Sequence, residues 1–189
     1  MSQEYSVSDE ALIKAAQKGD RDAAAWLYNR HVDRVHRICY RIVLDPSQVR
    51  DCVQEVWLKV FRNLGRFRSG KSFSAWLNTI AANTAIDFYR KCARQRSHPD
   101  ADETYVRGLA ADEQPASRQT DETPVQQKIR EALEEIGVNQ RTAFILRYFE
   151  NMPTAEIARV LGCAEGTVRV HIHRSLLALR ARLAGKLNQ

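Results

Sequence analysis

The stretch "EIARVLGCAEGTVRVHIHR" (Glu156–Arg174) reads as two short helices joined at Gly162, the second one basic. Ile157, Ala158, Leu161, Val168, Ile172 and Leu176 are spaced to seal the two helices against each other, and Gly162 supplies the tight turn. The second helix presents Arg169, Val170, His173 and Arg174 on its outer face, with Arg180 and Arg182 further on. Such a helix can enter the major groove, where arginine grips a guanine edge in bidentate fashion and the other cations hold phosphates. A solvated basic helix in a bundle would look similar in charge alone, but turn, core and charge agree on a DNA reader. The reading helix should begin near Ala164, a poor N-cap; serine there would be better by about 0.5–2 kcal/mol. Glu165 in the first turn partly compensates through the helix dipole.

Working back from this motif, helical periodicity continues and no segment sustains period-2 alternation. Ser8 can cap a first helix that ends near Gly19. A second runs from about Arg21 to Val43, with Ala24, Leu27, Tyr28, Val32, Val35, Ile38 and Ile42 on one stripe. Asp45-Pro46-Ser47-Gln48 opens a third: Asp45 can accept from exposed amides, Pro46 suits the first helical position and Gln48 sits where a capping box wants it. Val49, Val53, Val56, Trp57, Val60, Phe61 and Leu64 form its apolar face, and Gly65 stops it. A fourth helix, from about Phe73 to Arg94, buries Phe73, Trp76, Leu77, Ile80, Ala81 and Phe88.

Residues 97–124 break the pattern. They hold three of the five prolines, many small polar residues and little periodicity, and they read as a flexible linker. Periodicity restarts with Val125, Ile129, Leu133 and Ile136, and a further helix around Arg141–Glu150 precedes the opening stretch. The expected fold is therefore all-α: a helical domain at 1–96, a linker at 97–124 and a helix-turn-helix domain at 125–189. Charge follows the same division. Residues 1–96 carry 17 basic and 10 acidic side chains, 97–124 carry 2 and 7, and 125–189 carry 10 and 6. Two basic blocks flanking an acidic strip suit a polyanion partner.

In the N-terminal block, Asp51, Gln54, Glu55 and Lys59 lie opposite the apolar stripe of the third helix, a pattern that a merely wet face would share. On the fourth helix Asn83, Asp87, Arg90, Lys91 and Arg94 share a polar face that becomes basic towards its end. The loop "GRFRSGKS" (Gly65–Ser72) sets Arg66, Arg68 and Lys71 around Phe67. Cations beside an aromatic on a flexible loop suit an unpaired base, because the charges hold phosphate and the ring can stack.

These separate signals converge on a family. "DCVQEVWLKVFRNLGRF" followed by "FSAWLNTIAANTAIDFYRKCAR" resembles the second region of bacterial sigma factors, and "IGVNQRTAFILRYFENMPTAEIARVLGCAEGTVRVHIHRSLLALRARL" resembles their fourth. The short length, with only a linker between the blocks, is that of the extracytoplasmic-function group. The resemblance implies a factor that brings core RNA polymerase to −35/−10 promoters and helps open the −10 region, with no catalytic residue of its own. It implies that Asp51, Gln54 and Glu55 dock on the β′ clamp helices and that the β flap is a second polymerase contact. The loop Gly65–Ser72, with Arg66, Phe67, Arg68 and Lys71, would capture a flipped −10 base beside Asn83. Arg90, Lys91 and Arg94 would lie along the upstream −10 duplex, and Arg169, Val170, His173 and Arg174 would read the −35 element. Val170 and His171 stand where the family often has small or basic residues, so the promoter sequence itself does not carry over. The acidic linker would thread near the RNA-exit channel, and an anti-sigma factor is an expected partner.

Other classes find little support. Cys39, Cys52, Cys92 and Cys163 are scattered with no CxxC pair, as in reduced thiols of a cytosolic protein. The polar start "MSQEYSVSDE" is no signal peptide, and no apolar run approaches the ~18 residues of a membrane span. The side chains of His171 and His173 point about 200° apart on a helix, so they cannot chelate together; neither metal nor cofactor is expected. There is no phosphate-binding glycine loop, no GxSxG and no paired carboxylate in an apolar setting. A response-regulator-like factor shares the pattern EIA…L…TV…H but would need a strand-helix receiver domain, for which the N-terminal half shows no strands. A helical adaptor without DNA contact would favour an acidic C-terminal block, opposite to the charge found.

Overall fold

The computed structural model describes residues 8–68, 70, 72–97 and 131–187, with side chains for all of these except 95–97 and 182–187. Every regular element among the described residues is helical, as the periodicity requires. Helix α1 (Asp9–Gln17) starts where the Ser8 hydroxyl accepts from the Ala11 amide at 3.3 Å. Helix α2 (Arg21–Val43) starts at Asp20, whose carboxylate accepts from the Ala23 amide at 3.0 Å. It ends at Leu44, a branched residue held left-handed at φ 62°, which no local signal announces. Helix α3 (Pro46–Leu64) has the expected start, with Asp45 accepting from the Ser47 amide at 3.1 Å. Its stop at Gly65 is as expected, but Gly65 is right-handed at φ −60° and makes no use of its left-handed freedom. Helix α4 (Phe73–Ser97) begins after Ser72, whose hydroxyl accepts from the Ala75 amide at 3.2 Å, a cap the sequence reading overlooked.

The N-terminal core is built from Leu27, Val35, Ile38, Ile42, Val56, Val60, Leu77 and Ala81, none of which reaches solvent. Each valine, leucine or isoleucine among them contributes about 1.5–3 kcal/mol by leaving water. Two details differ from the expected stripes. Phe61, placed on the buried face of α3, is 39% exposed, and Cys52 is buried in its stead. The seam of α3 follows 49, 52, 53, 56, 57, 60 and 64, and residue 61 lies a hundred degrees round from Val60. On α2, His31 and Cys39 join the buried face, while Ala24, Tyr28 and Val32 are half-buried at its edge.

In the C-terminal block, a helical turn at 131–134 precedes α5 (Val138–Tyr148), α6 (Thr154–Leu161) and α7 (Glu165–Leu187). Leu133 and Ile136 are buried as the spacing requires; Val125 and Ile129 lie outside the described residues, as does the linker strip from residue 98 onward. Helix α5 is buried all round from Arg141 to Leu146. It packs on α6 and α7 of its own block and on α2 and α4 of the N-terminal block. The two blocks therefore share one continuous core, a contact that periodicity within each block could not reveal.

Candidate nucleic-acid interface

The helix-turn-helix is assembled by a few specific contacts. Gly162 makes the expected tight turn in the left-handed conformation at φ 62°, and the Cys163 amide bonds back to the Ala158 carbonyl at 3.1 Å. Ile157 and Val168 are fully buried between α6 and α7, with Leu161, Ile172 and Leu176 packed at the margin. The buried Ser175 hydroxyl lies 3.0 Å from the Gln140 carbonyl and 2.9 Å from that of His171, tying α7 to α5. The outer face is free of this packing. Arg169, His173 and Arg174 are exposed, and Val170 is 46% exposed. Glu165 pairs with Arg169 at 3.5 Å one turn along, so an acidic group sits at the entry of this basic face. His171 points back into the domain; burial first, then Arg174, pull its imidazole below the ordinary histidine value. Both effects favour its neutral form.

The loop after α3 is less free than its composition suggests. The Gln17 side chain donates to the Leu64 carbonyl at 2.9 Å and to the Phe67 carbonyl at 3.0 Å, pinning the loop to the end of α1. Phe67 is half-buried, with its ring centroid 5.6 Å from Phe73 and 5.1 Å from Trp76. It forms a wall of an aromatic cluster rather than a freely swinging ring. Arg66 and Arg68 are exposed beside it, and Gly70 makes the bend at φ 90°; Lys71 lies outside the described residues. Gln17 was not singled out in the sequence, since a polar residue at a helix end gives no hint of a partner fifty positions away.

On α4, Asn83, Asp87, Arg90, Lys91 and Arg94 are all exposed on the expected face. Arg90 also reaches Asn139 of the C-terminal block at 3.4 Å, and Arg94 donates to the Arg90 carbonyl at 3.4 Å. On α3, Asp51 and Gln54 are exposed and Glu55 is half-exposed, paired with Lys59 at 3.8 Å. Lys59 in turn donates to the buried Thr84 hydroxyl at 3.3 Å, which joins this face to α4. Leu58 (43% exposed) and Phe61 continue the same face with apolar surface, which a stripe of acids and amides did not foretell. Among the described residues no three His, Cys, Asp or Glu side chains converge as a metal site would need, and no helix is long and apolar enough to cross a membrane.

Both blocks match known protein families. The model of sigma-70 region 2 matches residues 27–95, and that of sigma-70 region 4 matches residues 126–179. The chain is 32% identical to the RNA polymerase sigma-H factor of Pseudomonas aeruginosa over 96% of each chain. It is also 32% identical to the ECF sigma factor SigM of Mycobacterium tuberculosis, over 96% of this chain and 87% of that one. The ECF sigma-E factor of Escherichia coli is 32% identical over 92% and 93%. The fold is shared with CnrH, solved in complex with the cytosolic domain of CnrY, at TM-score 0.63 and 22% identity over 94% of this chain and 97% of that one. It is shared equally with the sigma factor RpoE of Bartonella quintana, co-crystallised with the anti-sigma factor NepR, at TM-score 0.63 and 24% identity over 83% and 94%. The chain belongs to the extracytoplasmic-function group of sigma-70-type RNA polymerase sigma factors.

Proposed function

We propose that this protein acts as an alternative sigma factor: it binds core RNA polymerase, directs it to −35/−10 promoters and assists melting of the −10 region. The observation that carries this reading is the presence, on one chain, of separate exposed faces of opposite character. The α3 face of Asp51, Gln54 and Glu55 is acidic and amidic, so it repels DNA and suits a protein partner, the β′ clamp helices. Leu58 and Phe61 extend it with apolar area that a protein, not a phosphate backbone, would cover. The face of α7 with Arg169, Val170, His173 and Arg174 is cationic and suits the −35 major groove. The loop with Arg66, Phe67, Arg68 and Lys71, the nearby Asn83, and the cations Arg90, Lys91 and Arg94 suit the −10 strand and the duplex upstream of it.

In this reading residues 1–96 form the polymerase and −10 domain, 97–124 the linker and 125–189 the −35 domain. The chain performs no chemistry; polymerase does, so the protein works where polymerase works, in the cytoplasm. The β flap is a second contact on polymerase, and an anti-sigma factor controls availability. Reconstituting core polymerase with this protein and mapping the 5′ ends of the transcripts from a genomic library tests the reading. The expected result is a set of starts sharing −35 and −10 sequences and absent with core enzyme alone. Transcripts indistinguishable from those of core enzyme would overturn it.

A further inference from the structure

Gln17 is the last residue of α1, and its side chain reaches across to the end of α3. The amide nitrogen donates to the Leu64 carbonyl at 2.9 Å and to the Phe67 carbonyl at 3.0 Å. Carbonyls only accept, so both amide protons are committed to one backbone turn. The last carbonyls of a helix lack donors from within it, which is why the end of α3 can take a donor from elsewhere. The turn begins with bonds of its own, from the Arg66 amide to the Asn63 carbonyl and from the Phe67 amide to the Leu64 carbonyl, each at 3.0 Å. Gln17 completes it from outside the loop.

Helix α1 is a firm base for this contact. Leu12 and Ile13 bury it in the N-terminal core, and Asp9 at its start pairs with Arg30 at 2.9 Å and lies 2.9 Å from His31 Nε2. At its end the Lys18 and Asp20 amides return to the Ala15 carbonyl at 2.9 and 3.2 Å, and Gly19 turns left-handed at φ 93°, leading directly into α2. The loop is the softer partner. Gly65 and Gly70 lack the side chain that restricts a backbone, and Gly70 sits at φ 90°. Arg66 and Arg68 are exposed. The Phe67 ring leans on Phe73 and Trp76, and the Phe67 carbonyl is held by Gln17. Ring and carbonyl fixed together leave residue 67 one orientation, and with it the two cations on either side.

We propose that Gln17 is a positioning residue for promoter opening, its two donors holding the loop Gly65–Ser72 in the conformation that receives the unpaired −10 base. The proposal rests on the sigma reading above and extends it to a residue outside the loop. A site that is competent only part of the time loses apparent affinity by that fraction. Each bond shifts an equilibrium by about two- to tenfold, so losing both should slow opening by about tenfold. Closed-complex binding draws on the duplex contacts of α4 and α7 and does not need the loop. The fold does not need the two bonds either, since Gln17 is exposed and water can take its place at the carbonyls.

The test compares the wild-type chain with Gln17→Met and Gln17→Lys, free and reconstituted with core polymerase on a promoter mapped by transcript 5′ ends. Methionine keeps the length and the helix preference and removes both donors; lysine supplies donors again and suits the last turn of a helix. Hydrogen exchange at the Arg66, Phe67 and Arg68 amides of the free protein reports the order of the loop, and thermal melting reports the fold. Permanganate reactivity followed over time reports −10 opening, and a mobility shift in the cold reports the closed complex. Gln17→Met should exchange faster at these amides and open the promoter about tenfold more slowly, with Tm and closed-complex affinity at wild-type values. Gln17→Lys should return exchange and opening together towards wild type. Opening at the wild-type rate by Gln17→Met would overturn the proposal. So would an opening rate that does not follow loop exchange across the three proteins, or slow opening matched by a fall in Tm. No opening by wild type and variants alike would instead overturn the sigma reading.

Discussion

Phe67 shows how much a single residue's surroundings add to its chemistry. Two ring contacts and the Gln17 bond to its carbonyl make it part of the fold, so Phe67→Ala would confuse unfolding with loss of function. Arg66 and Arg68 are exposed and separate the two effects. The double variant Arg66→Ala/Arg68→Ala should alter stability by no more than about 0.5 kcal/mol. It should still slow promoter opening more than it weakens closed-complex binding, as a permanganate footprint of −10 melting would report; unchanged melting would remove the loop from the mechanism. The aromatic among cations was legible in the sequence. Its anchoring was not, because a side chain fifty residues away supplies the bond. His31 makes a second residue-scale case. It lies 2.9 Å from Asp9 and 5.3 Å from the Phe73 ring, and burial, outweighing Asp9, holds it below its ordinary value of 6.5. Burial does the same to His36. The unfolded chain therefore binds more protons just below pH 6.5, so stability is full above that value and falls as pH drops through it. Thermal melts should show a lower Tm at pH 5.5 than at 7.5, and His31→Gln should narrow the difference.

At the scale of elements, short polar side chains meet exposed amides at several helix starts, and some of these starts were legible. Ser8, Asp20 and Asp45 each accept from the first turn of the helix that follows. Only two of these were noted from sequence, because Asp20 follows Gly19 and hides within a turn signal. The stop at Leu44 was legible only through the Asp45-Pro46 start beyond it, since residue preference does not place a leucine at φ 62°. The recognition helix was the clearest element, because turn glycine, apolar spacing and outward cations coincide there. Arg174 lies on its exposed face and contributes to no core contact. Arg174→Ala should therefore leave polymerase binding intact while discrimination of the −35 element drops by about 1–3 kcal/mol. Competition between matched and mutated −35 duplexes measures this directly, and equal losses on both would recast Arg174 as a phosphate contact.

For the whole molecule, two blocks and the break between them were visible in periodicity, proline and charge, but their mutual packing was not. Glu150 and Arg34 are 116 positions apart, and each alone reads as an ordinary solvated charge. The acidic, proline-bearing strip should be the first site of limited proteolysis, leaving fragments near 1–96 and 125–189. Because the blocks share buried apolar contacts as well as the Arg34–Glu150 pair, the fragments should co-elute after the cut; first cleavage within α3 would contradict the division. In the proposed function one face of α3 grips polymerase while α7 reads DNA. Asp51 and Glu55 are one turn apart on that face and opposite the buried Val53/Val56/Val60 side, so Asp51→Lys/Glu55→Lys should keep the helical fold. The most direct measurement is the affinity of this double variant for core polymerase, with promoter-specific transcription read in parallel. Both should be lost while nonspecific DNA binding holds or strengthens, since two more cations face phosphate. Normal core binding and normal transcription by the double-lysine protein would contradict it.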